Sequence, residues 1–114
     1  MSTGERLAAF VAATHLNVGF CFDVGHAHLG EGVETAFRFM KDRIRSTHLH
    51  DNDGVTDLHQ FPFLAPRGTV DWGKTIPLLR AKELPLLLEL KANTSIPQPI
   101  EAVKQVFQRM EEIE

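Results

Sequence analysis

The sequence predicts an α/β fold in which short parallel strands alternate with helices. Three segments have the composition of strands and lie at residues 18–22, 44–49 and 86–90. Stretches whose apolar residues recur at helical spacing precede, separate and follow these segments, which gives the order αβαβαβα. Strands that alternate with helices in this way run parallel and are joined by right-handed crossovers.

Length and composition favour a single domain that spans residues 1–114. Hydrophobic residues make up 43% of the chain and charged residues 24%, which excludes a disordered or low-complexity protein. Since no apolar run approaches the roughly 20 residues that cross a bilayer, we expect no membrane partner. The single cysteine, Cys21, cannot form an internal disulfide and therefore favours a reducing, cytoplasmic location. The formal charge of −3 offers no basic surface for nucleic acid.

The first half of the chain contains two predicted helices and two predicted strands. The first helix begins at Ser2 and Glu5, which have the spacing of a capping box. Its apolar face comprises Leu7, Phe10, Val11 and Thr14. After the first strand, the second helix has a clear amphipathic spacing. The apolar face of that helix comprises Val33, Ala36, Phe37 and Met40. The second strand then begins with a β-branched residue, Ile44.

The second half begins with a long loop, residues 51–70, which contains two prolines and a turn-forming Asn-Asp-Gly sequence. A helix follows with Asp71 or Thr75 as its cap, and Pro77 favours the later start because proline suits a first turn. The third strand is a nearly unbroken apolar run and is expected to be buried on both faces. Pro99 begins the last helix, whose apolar face comprises Ile100, Val103, Phe107 and Met110.

Each predicted strand carries an acid–base or metal-binding side chain at or near its carboxyl end. These side chains are Asp23, His48 and Glu89. Because side chains alternate between the two faces of a strand, Asp23 shares a face with Cys21, opposite Phe22. Sites in α/β proteins form at the carboxyl ends of strands. We therefore expect the three side chains to converge.

Further candidates lie near these three positions and offer nitrogen or oxygen ligands to a metal. They are His26 and His28 after the first strand, His50 and Asp51 after His48, and Asp57 and His59 in the long loop. Imidazole and carboxylate ligands together suit manganese, zinc, iron or cobalt. His50 and Asp51 could instead orient His48. Structural roles are the alternatives: Asp23 could cap a helix before Gly25, and His48 could be a hydrogen-bonded core histidine.

Four motifs of this sequence are similar to the C-terminal part of the xylose-isomerase-like TIM barrels. That superfamily contains sugar and sugar-phosphate isomerases and epimerases, and also endonuclease IV. The motifs are FDVGH at 22–26, THLHDN at 47–52, DLH at 57–59 and LEL at 88–90. Their order and spacing agree with the superfamily across nearly the whole chain. The resemblance implies a partial (β/α)8 barrel made of its last three parallel strands with flanking helices.

The resemblance implies a divalent-metal-dependent isomerase or epimerase that acts on a sugar or sugar phosphate. Asp23, His48 and Glu89 would be ligands of the catalytic metal at the ends of the sixth, seventh and eighth barrel strands. Glu89 would also be one of two acid–base glutamates, and the residue that matches His26 contacts substrate in such enzymes. The implied metal is manganese, zinc, cobalt or iron.

Two other functions stay open beside this one. In endonuclease-type members, the residues that match His26, Asp57 and His59 bind a further zinc, which would make the protein a metal-dependent phosphodiesterase. The negative net charge and the scarcity of lysine and arginine in the loops argue against a DNA duplex as partner. The third alternative is a non-catalytic half-barrel that folds by self-association.

This chain departs from the superfamily in length. A complete barrel has about 250 residues and eight strands, whereas this sequence predicts three strands. The superfamily's glutamate on the fifth strand, which is the fourth metal ligand and the second acid–base group, has no counterpart here. We therefore expect an incomplete site in the lone chain. An open three-stranded sheet also exposes one face and both edges, which predicts a homo-oligomer or an N-terminal half-barrel located elsewhere.

Overall fold

Helices flank a small parallel sheet in the computed structural model of the protein, which describes residues 2–91 and 96–114. The strands are β1 (Phe20–Asp23) and β2 (Ile44–His48), and a 3₁₀ turn at Lys41–Arg43 leads into β2. The helices are α1 (Thr3–Ala13), α2 (Val24–Leu29), α3 (Val33–Met40), α4 (Trp72–Ala81) and α5 (Pro99–Glu111). This order confirms the predicted α/β class and adds one helix, α2, that the sequence did not predict.

The two strands pair in parallel, and their register brings their carboxyl ends together. Asp23 lies opposite His48, and Cys21 lies opposite Ser46. The pleat is the one that the sequence predicts, since Phe22 is buried on one face and Cys21 is exposed on the other. Cys21 is thus on the predicted face, but its side chain is exposed and does not belong to the hydrophobic core.

The predicted third strand, at residues 86–90, does not form as a strand. Its pairing with the end of β2 is a single parallel bridge between Leu49 and Leu88. Leu49 donates its N–H to Leu87 (2.8 Å) and accepts one from Glu89 (3.1 Å). The ladder does not extend backward to Pro85, whose carbonyl oxygen accepts the side-chain hydroxyl of Thr47 at 2.6 Å.

The burial expected for that segment is also wrong. Leu87 is 56% exposed, whereas its neighbours Leu86 and Leu88 are partly buried against the core. The segment therefore covers β2 with one face only, and its other face continues the open face of the sheet that carries Cys21.

The hydrophobic core lies between the covered face of the sheet and helices α2 to α5. Its fully buried members include Phe22 and Leu49 from the strand side. Helices α4 and α5 contribute Ile76, Leu79 and Val106. Phe22 and Phe37 meet edge to face, with ring centroids 5.8 Å apart. This core supports the strands from behind and leaves their carboxyl ends accessible.

The helices begin largely where the sequence predicts. Ser2 caps α1, since its hydroxyl oxygen accepts the N–H of Glu5 at 3.2 Å. The predicted start at Thr75 is wrong, because α4 begins at Trp72, with Asp71 as its cap. Asp71 Oδ1 accepts the N–H of Lys74 at 3.1 Å, and this cap together with the buried Trp72 outweighs the one helical hydrogen bond lost at Pro77.

The buried faces of two helices differ from the predicted ones. In α1, Val11 is buried but Phe10 is 66% exposed. In α5, the helix starts at Pro99 as predicted, but Ile100 is 74% exposed. The buried residues of α5 are Ala102, Val106 and Met110. Of the predicted face, Met110 is thus confirmed, and Val103 is partly buried against the core. Within residues 2–91 and 96–114, no helix is both long enough and apolar enough to cross a membrane.

Candidate metal centre

Seven acidic and histidine side chains lie together at the carboxyl ends of the strands. They come from β1 and α2, from the end of β2 and the residues after it, from the long loop, and from the segment that bridges to β2. They are Asp23, His26, His48, His50, Asp57, His59 and Glu89. The structure thus brings together every residue that the sequence analysis assigned to metal binding or catalysis.

Asp23 is at the centre of this cluster and is also a helix cap. Its Oδ1 accepts the backbone N–H of His26 at 2.9 Å, which starts α2 immediately after β1. Its Oδ2 lies 3.2 Å from Nδ1 of His26 and 3.8 Å from Nδ1 of His48. The capping role and a ligand role are therefore compatible, because the second oxygen still faces the imidazoles.

The pKa of Asp23 reflects these neighbours. Burial raises the pKa of Asp23, but the close contact with His50 and the backbone N–H of His26 lower it by more. The net pKa lies below the ordinary value of an aspartate. Asp23 is accordingly ionised over the whole neutral range, which is the form that binds a cation.

His48 and Glu89 form the side of the cluster next to Asp23. Nδ1 of His48 lies 3.1 Å from Oε2 of Glu89. Both side chains are partly accessible, at 35% for His48 and 45% for Glu89. Glu89 is held there by its backbone, since its N–H donates to Leu49 at the end of β2. A single bridge is therefore sufficient to bring the carboxylate to the site without a full third strand.

His26, Asp57 and His59 form the opposite side. Oδ2 of Asp57 lies 3.1 Å from Nε2 of His26, and its Oδ1 lies 3.1 Å from Nε2 of His59. Burial raises the pKa of Asp57, but the hydrogen bond and charge of His26 and the charge of His59 bring it below its ordinary value. An antiparallel bridge between Asp51 and Gln60 holds this part of the loop against the end of β2.

His50 is the fully buried member of the cluster. Its ring stacks on His59, with centroids 3.8 Å apart and planes 5° apart, and its other surroundings include Gly25. A Cβ atom at position 25 would overlap the His50 ring, so glycine is required there. Nε2 lies 2.6 Å from Oδ1 of Asp23, but the approach is not aligned for a hydrogen bond. Neither ring nitrogen has a hydrogen-bond partner in the part of the chain that the structure describes.

Asp51 has a structural role in place of the predicted one of orienting His48. Its buried Oδ1 accepts the N–H groups of Asn52 (2.8 Å), Thr69 (3.1 Å) and Val70 (3.0 Å). Its Oδ2 accepts the indole N–H of Trp72 at 2.8 Å. This carboxylate therefore ties both ends of the long loop to α4, because Trp72 is the first residue of that helix.

The donor chemistry of the cluster fits a divalent metal. Two groups of side chains have ligand atoms within 4.8 Å of one another, and His50 belongs to both. One group contains His26, His50, Asp57 and His59, and the other contains Asp23, His50 and Glu89. Imidazole with carboxylate suits zinc, manganese, iron or cobalt, and a buried imidazole without hydrogen bonds is available as a donor. His48 lies outside both groups, although it contacts Glu89 and Asp23. His28 is also outside both groups and contacts Thr69.

The fold and this cluster define the class: an α/β chain of the βα-repeat type, with acidic and histidine side chains at the carboxyl ends of its strands. The chain belongs to the xylose isomerase-like TIM barrel family, whose family model matches residues 1–113.

One relative among curated proteins is the uncharacterized protein y4fM of Sinorhizobium fredii, which is 43% identical over 56 residues. The match covers 48% of this chain and 17% of that protein, so the chain spans a minor part of the relative's length. No solved structure matches the chain.

Proposed function

We propose that this protein is the C-terminal part of a divalent-metal-dependent isomerase or epimerase that acts on a sugar or sugar phosphate. The observation that supports the proposal is the convergence of Asp23, His48 and Glu89 from three separate segments. Nδ1 of His48 lies 3.8 Å from Oδ2 of Asp23 and 3.1 Å from Oε2 of Glu89. We infer that these three side chains bind the cation, and their donor atoms favour manganese, zinc, cobalt or iron.

The proposed reaction moves a proton between two carbons of the substrate. The bound cation would supply positive charge that stabilises the oxyanion formed as a proton leaves the carbon beside a carbonyl group. Glu89 is 45% exposed, so its carboxylate can reach the substrate and take or return that proton. The contact with His48 orients this carboxylate. His26 has a side chain that is 54% exposed and can donate a hydrogen bond to a substrate hydroxyl.

The proposal includes a partner that supplies the rest of the barrel and the second proton-transfer group. That partner is a second copy of this chain or an N-terminal half-barrel. In residues 2–91 and 96–114, β1 pairs with β2 alone, and Leu87 on the open face of the sheet is 56% exposed. Light scattering of the purified protein should show a homo-oligomer. A compact monomer at high dilution would contradict self-association.

Metal content and an isomerisation assay test the proposed function together. Untagged protein, expressed with mixed divalent metals and then desalted, should contain about one manganese, zinc, cobalt or iron per chain. Activity of the protein assembled with that partner, on a panel of aldoses, ketoses and their phosphates, should fall about 100-fold in Glu89→Gln, because the amide cannot transfer a proton. Glu111→Gln, at an exposed position of α5, is the matched control and should leave activity unchanged. Full activity in Glu89→Gln would refute this assignment.

A metal-dependent phosphodiesterase is the second candidate function. The observation that favours it is the separate donor group of His26, Asp57 and His59, with Asp57 at 3.1 Å from each imidazole. Two or more zinc ions per chain, together with chelator-sensitive cleavage of a duplex that contains an abasic site, would support this candidate. Protein that binds no metal under these conditions would instead favour the non-catalytic half-barrel.

A further inference from the structure

His50 differs from the other histidines of the cluster in its surroundings. Its side chain is fully buried, yet in the described ranges neither ring nitrogen makes a hydrogen bond. Buried polar groups in folded proteins are almost always hydrogen-bonded, so an imidazole in this state needs an explanation. A metal ion bound to the lone pair of Nε2 is one such explanation, because carboxylates of Asp23 and Glu89 lie close to this ring.

The position of His50 relative to the carboxylates supports this explanation. Nε2 lies 2.6 Å from Oδ1 of Asp23 without hydrogen-bond alignment, and Glu89 offers a ligand atom within 4.8 Å. A neutral imidazole has one nitrogen with a free lone pair, and two adjacent carboxylates supply the negative charge that a divalent cation requires.

The ring of His50 is also held rigidly. It has no space to move toward α2, because even a Cβ at Gly25 would overlap it. On another side it stacks on His59 at a centroid distance of 3.8 Å. A fixed donor is the property that a metal ligand needs, since its orientation must persist before the cation binds.

We propose that His50 is itself a ligand of the metal, through Nε2, and that it joins Asp23, His48 and Glu89 as the fourth ligand. This inference rests on the proposed function, which places a cation on those three residues. It means that the lone chain holds the cation with four ligands of its own, and that the partner is needed for proton transfer rather than for metal binding.

Cadmium NMR of the unmodified full chain tests the inference directly. The chain is labelled with ¹⁵N-histidine and titrated with one equivalent of ¹¹³Cd²⁺, and the ring nitrogens are observed by long-range ¹H–¹⁵N correlation. A direct bond splits the Nε2 resonance of His50 by one-bond ¹¹³Cd–¹⁵N coupling, which a histidine that acts only through Asp23 cannot show. We expect coupling at both His48 and His50.

Zinc affinity provides the second measurement, by competition with a chromophoric chelator. His50→Gln should weaken zinc binding about 100-fold. His28→Gln is the matched control, because His28 is partly buried and contacts Thr69 outside the cluster. The zinc affinity of this variant should equal that of the unmodified chain. If His50→Gln does not fold, the NMR measurement on the unmodified chain still decides the question.

The outcomes separate this inference from the proposed function. Cadmium coupling at His48 without coupling at His50 would refute the ligand role of His50 and leave the proposed metal site intact. Failure of the unmodified chain to bind cadmium or zinc would refute both. Coupling at His50 would support the four-ligand site.

Discussion

Asp23 and Asp51 are two carboxylates near the ends of neighbouring strands, and their surroundings differ in kind. Asp51 is buried and accepts three backbone N–H groups and one indole N–H. Asp23 accepts one backbone N–H and otherwise faces the imidazoles of His26, His48 and His50. The N–H groups around Asp51 can only donate hydrogen bonds, whereas a neutral imidazole also has a nitrogen lone pair that can bind a cation.

The comparison shows that the hydrogen-bond partners of a carboxylate distinguish a structural role from a binding role. A carboxylate whose hydrogen bonds are complete stabilises the fold, because each backbone donor that it satisfies would otherwise be unpaired. Asp23 is instead surrounded by groups whose hydrogen bonds are incomplete, as with His50, and this is where we propose that a cation binds. The two regions should therefore respond differently to mutation: the Asp51 region in stability, and the Asp23 region in metal binding.

The largest expected effect is that of Asp51→Asn. The amide replaces one acceptor oxygen by a donor and removes the charge, which leaves a buried N–H group of the loop or of Trp72 unsatisfied. We expect a loss of about 4 kcal/mol in the free energy of unfolding, measured by urea denaturation in the presence of a chelator. Asp53→Asn is the control, because that carboxylate is on the loop surface and an asparagine can still accept its local N–H groups. Equal effects of the two substitutions would contradict the role assigned to Asp51.

A pair of glycine substitutions sharpens the comparison. A Cβ at Gly25 would overlap the His50 ring, and a Cβ at Gly68 would overlap the Asp51 carboxylate. Gly25→Ala and Gly68→Ala should each destabilise the fold by about 3 kcal/mol. Zinc titration of the folded proteins should separate them, since Gly25→Ala displaces His50, a proposed metal ligand, and Gly68→Ala does not. The comparison fails if both variants lose zinc affinity equally.

Trp72→Phe tests the hydrogen bond of Asp51 with little change in packing. The phenyl ring keeps most of the buried apolar surface but cannot donate to Oδ2 of Asp51. Because the acceptor is charged, we expect a loss of about 2 kcal/mol in unfolding free energy. Zinc affinity, measured on the same preparation, should equal that of the unmodified chain. A loss of zinc binding without a loss of stability would reverse the assignment of the two regions.

The smallest effect concerns the pH dependence of stability at Asp23. Its pKa is lowered in the folded chain, so its ionised form contributes stability above the pKa of an unfolded aspartate, about 3.9, and loses it as the pH falls through the lower folded pKa. Asp23→Asn should cost below about 1 kcal/mol at pH values above about 5, because asparagine is also a good helix cap.

The difference between the unmodified chain and Asp23→Asn should shrink as the pH falls from about 5 to about 3. Urea denaturation at several pH values, with chelator present, measures it. A difference that grows on acidification would show that the pKa of Asp23 is raised in the fold.

Local patterns predicted much of the site. Strand pleating placed Asp23 on the face opposite Phe22, and the register of β1 with β2 brings Asp23 opposite His48. The same alternation puts His48 and His50 on one side of the strand end, in agreement with the place of His50 among the further candidates from the sequence. What the pattern cannot supply is the burial of His50, which depends on Gly25 and His59 from other segments.

Other features could not be predicted because they depend on contacts distant in sequence. The segment at 86–90 has a strand composition, but it pairs with the end of β2 through one bridge, and the carbonyl of the preceding Pro85 accepts the hydroxyl of Thr47. In α5, apolar residues occur on more than one stripe, and packing against the core selects Ala102 and Val106 over Ile100. In both segments the amino-acid composition is compatible with either structure, and packing against the rest of the chain decides which one forms.

The sequence by itself determined the α/β class, the two strands and most helix starts, because these depend on period, capping and proline geometry within a few residues. It also predicted acidic and histidine side chains that the structure places together at the strand ends. The tertiary structure alone decided that Asp51 holds the loop and that His50 is buried without hydrogen bonds beside Asp23. The physical reason is that hydrogen-bond satisfaction and burial are properties of residues from several segments, which meet only when the chain has folded.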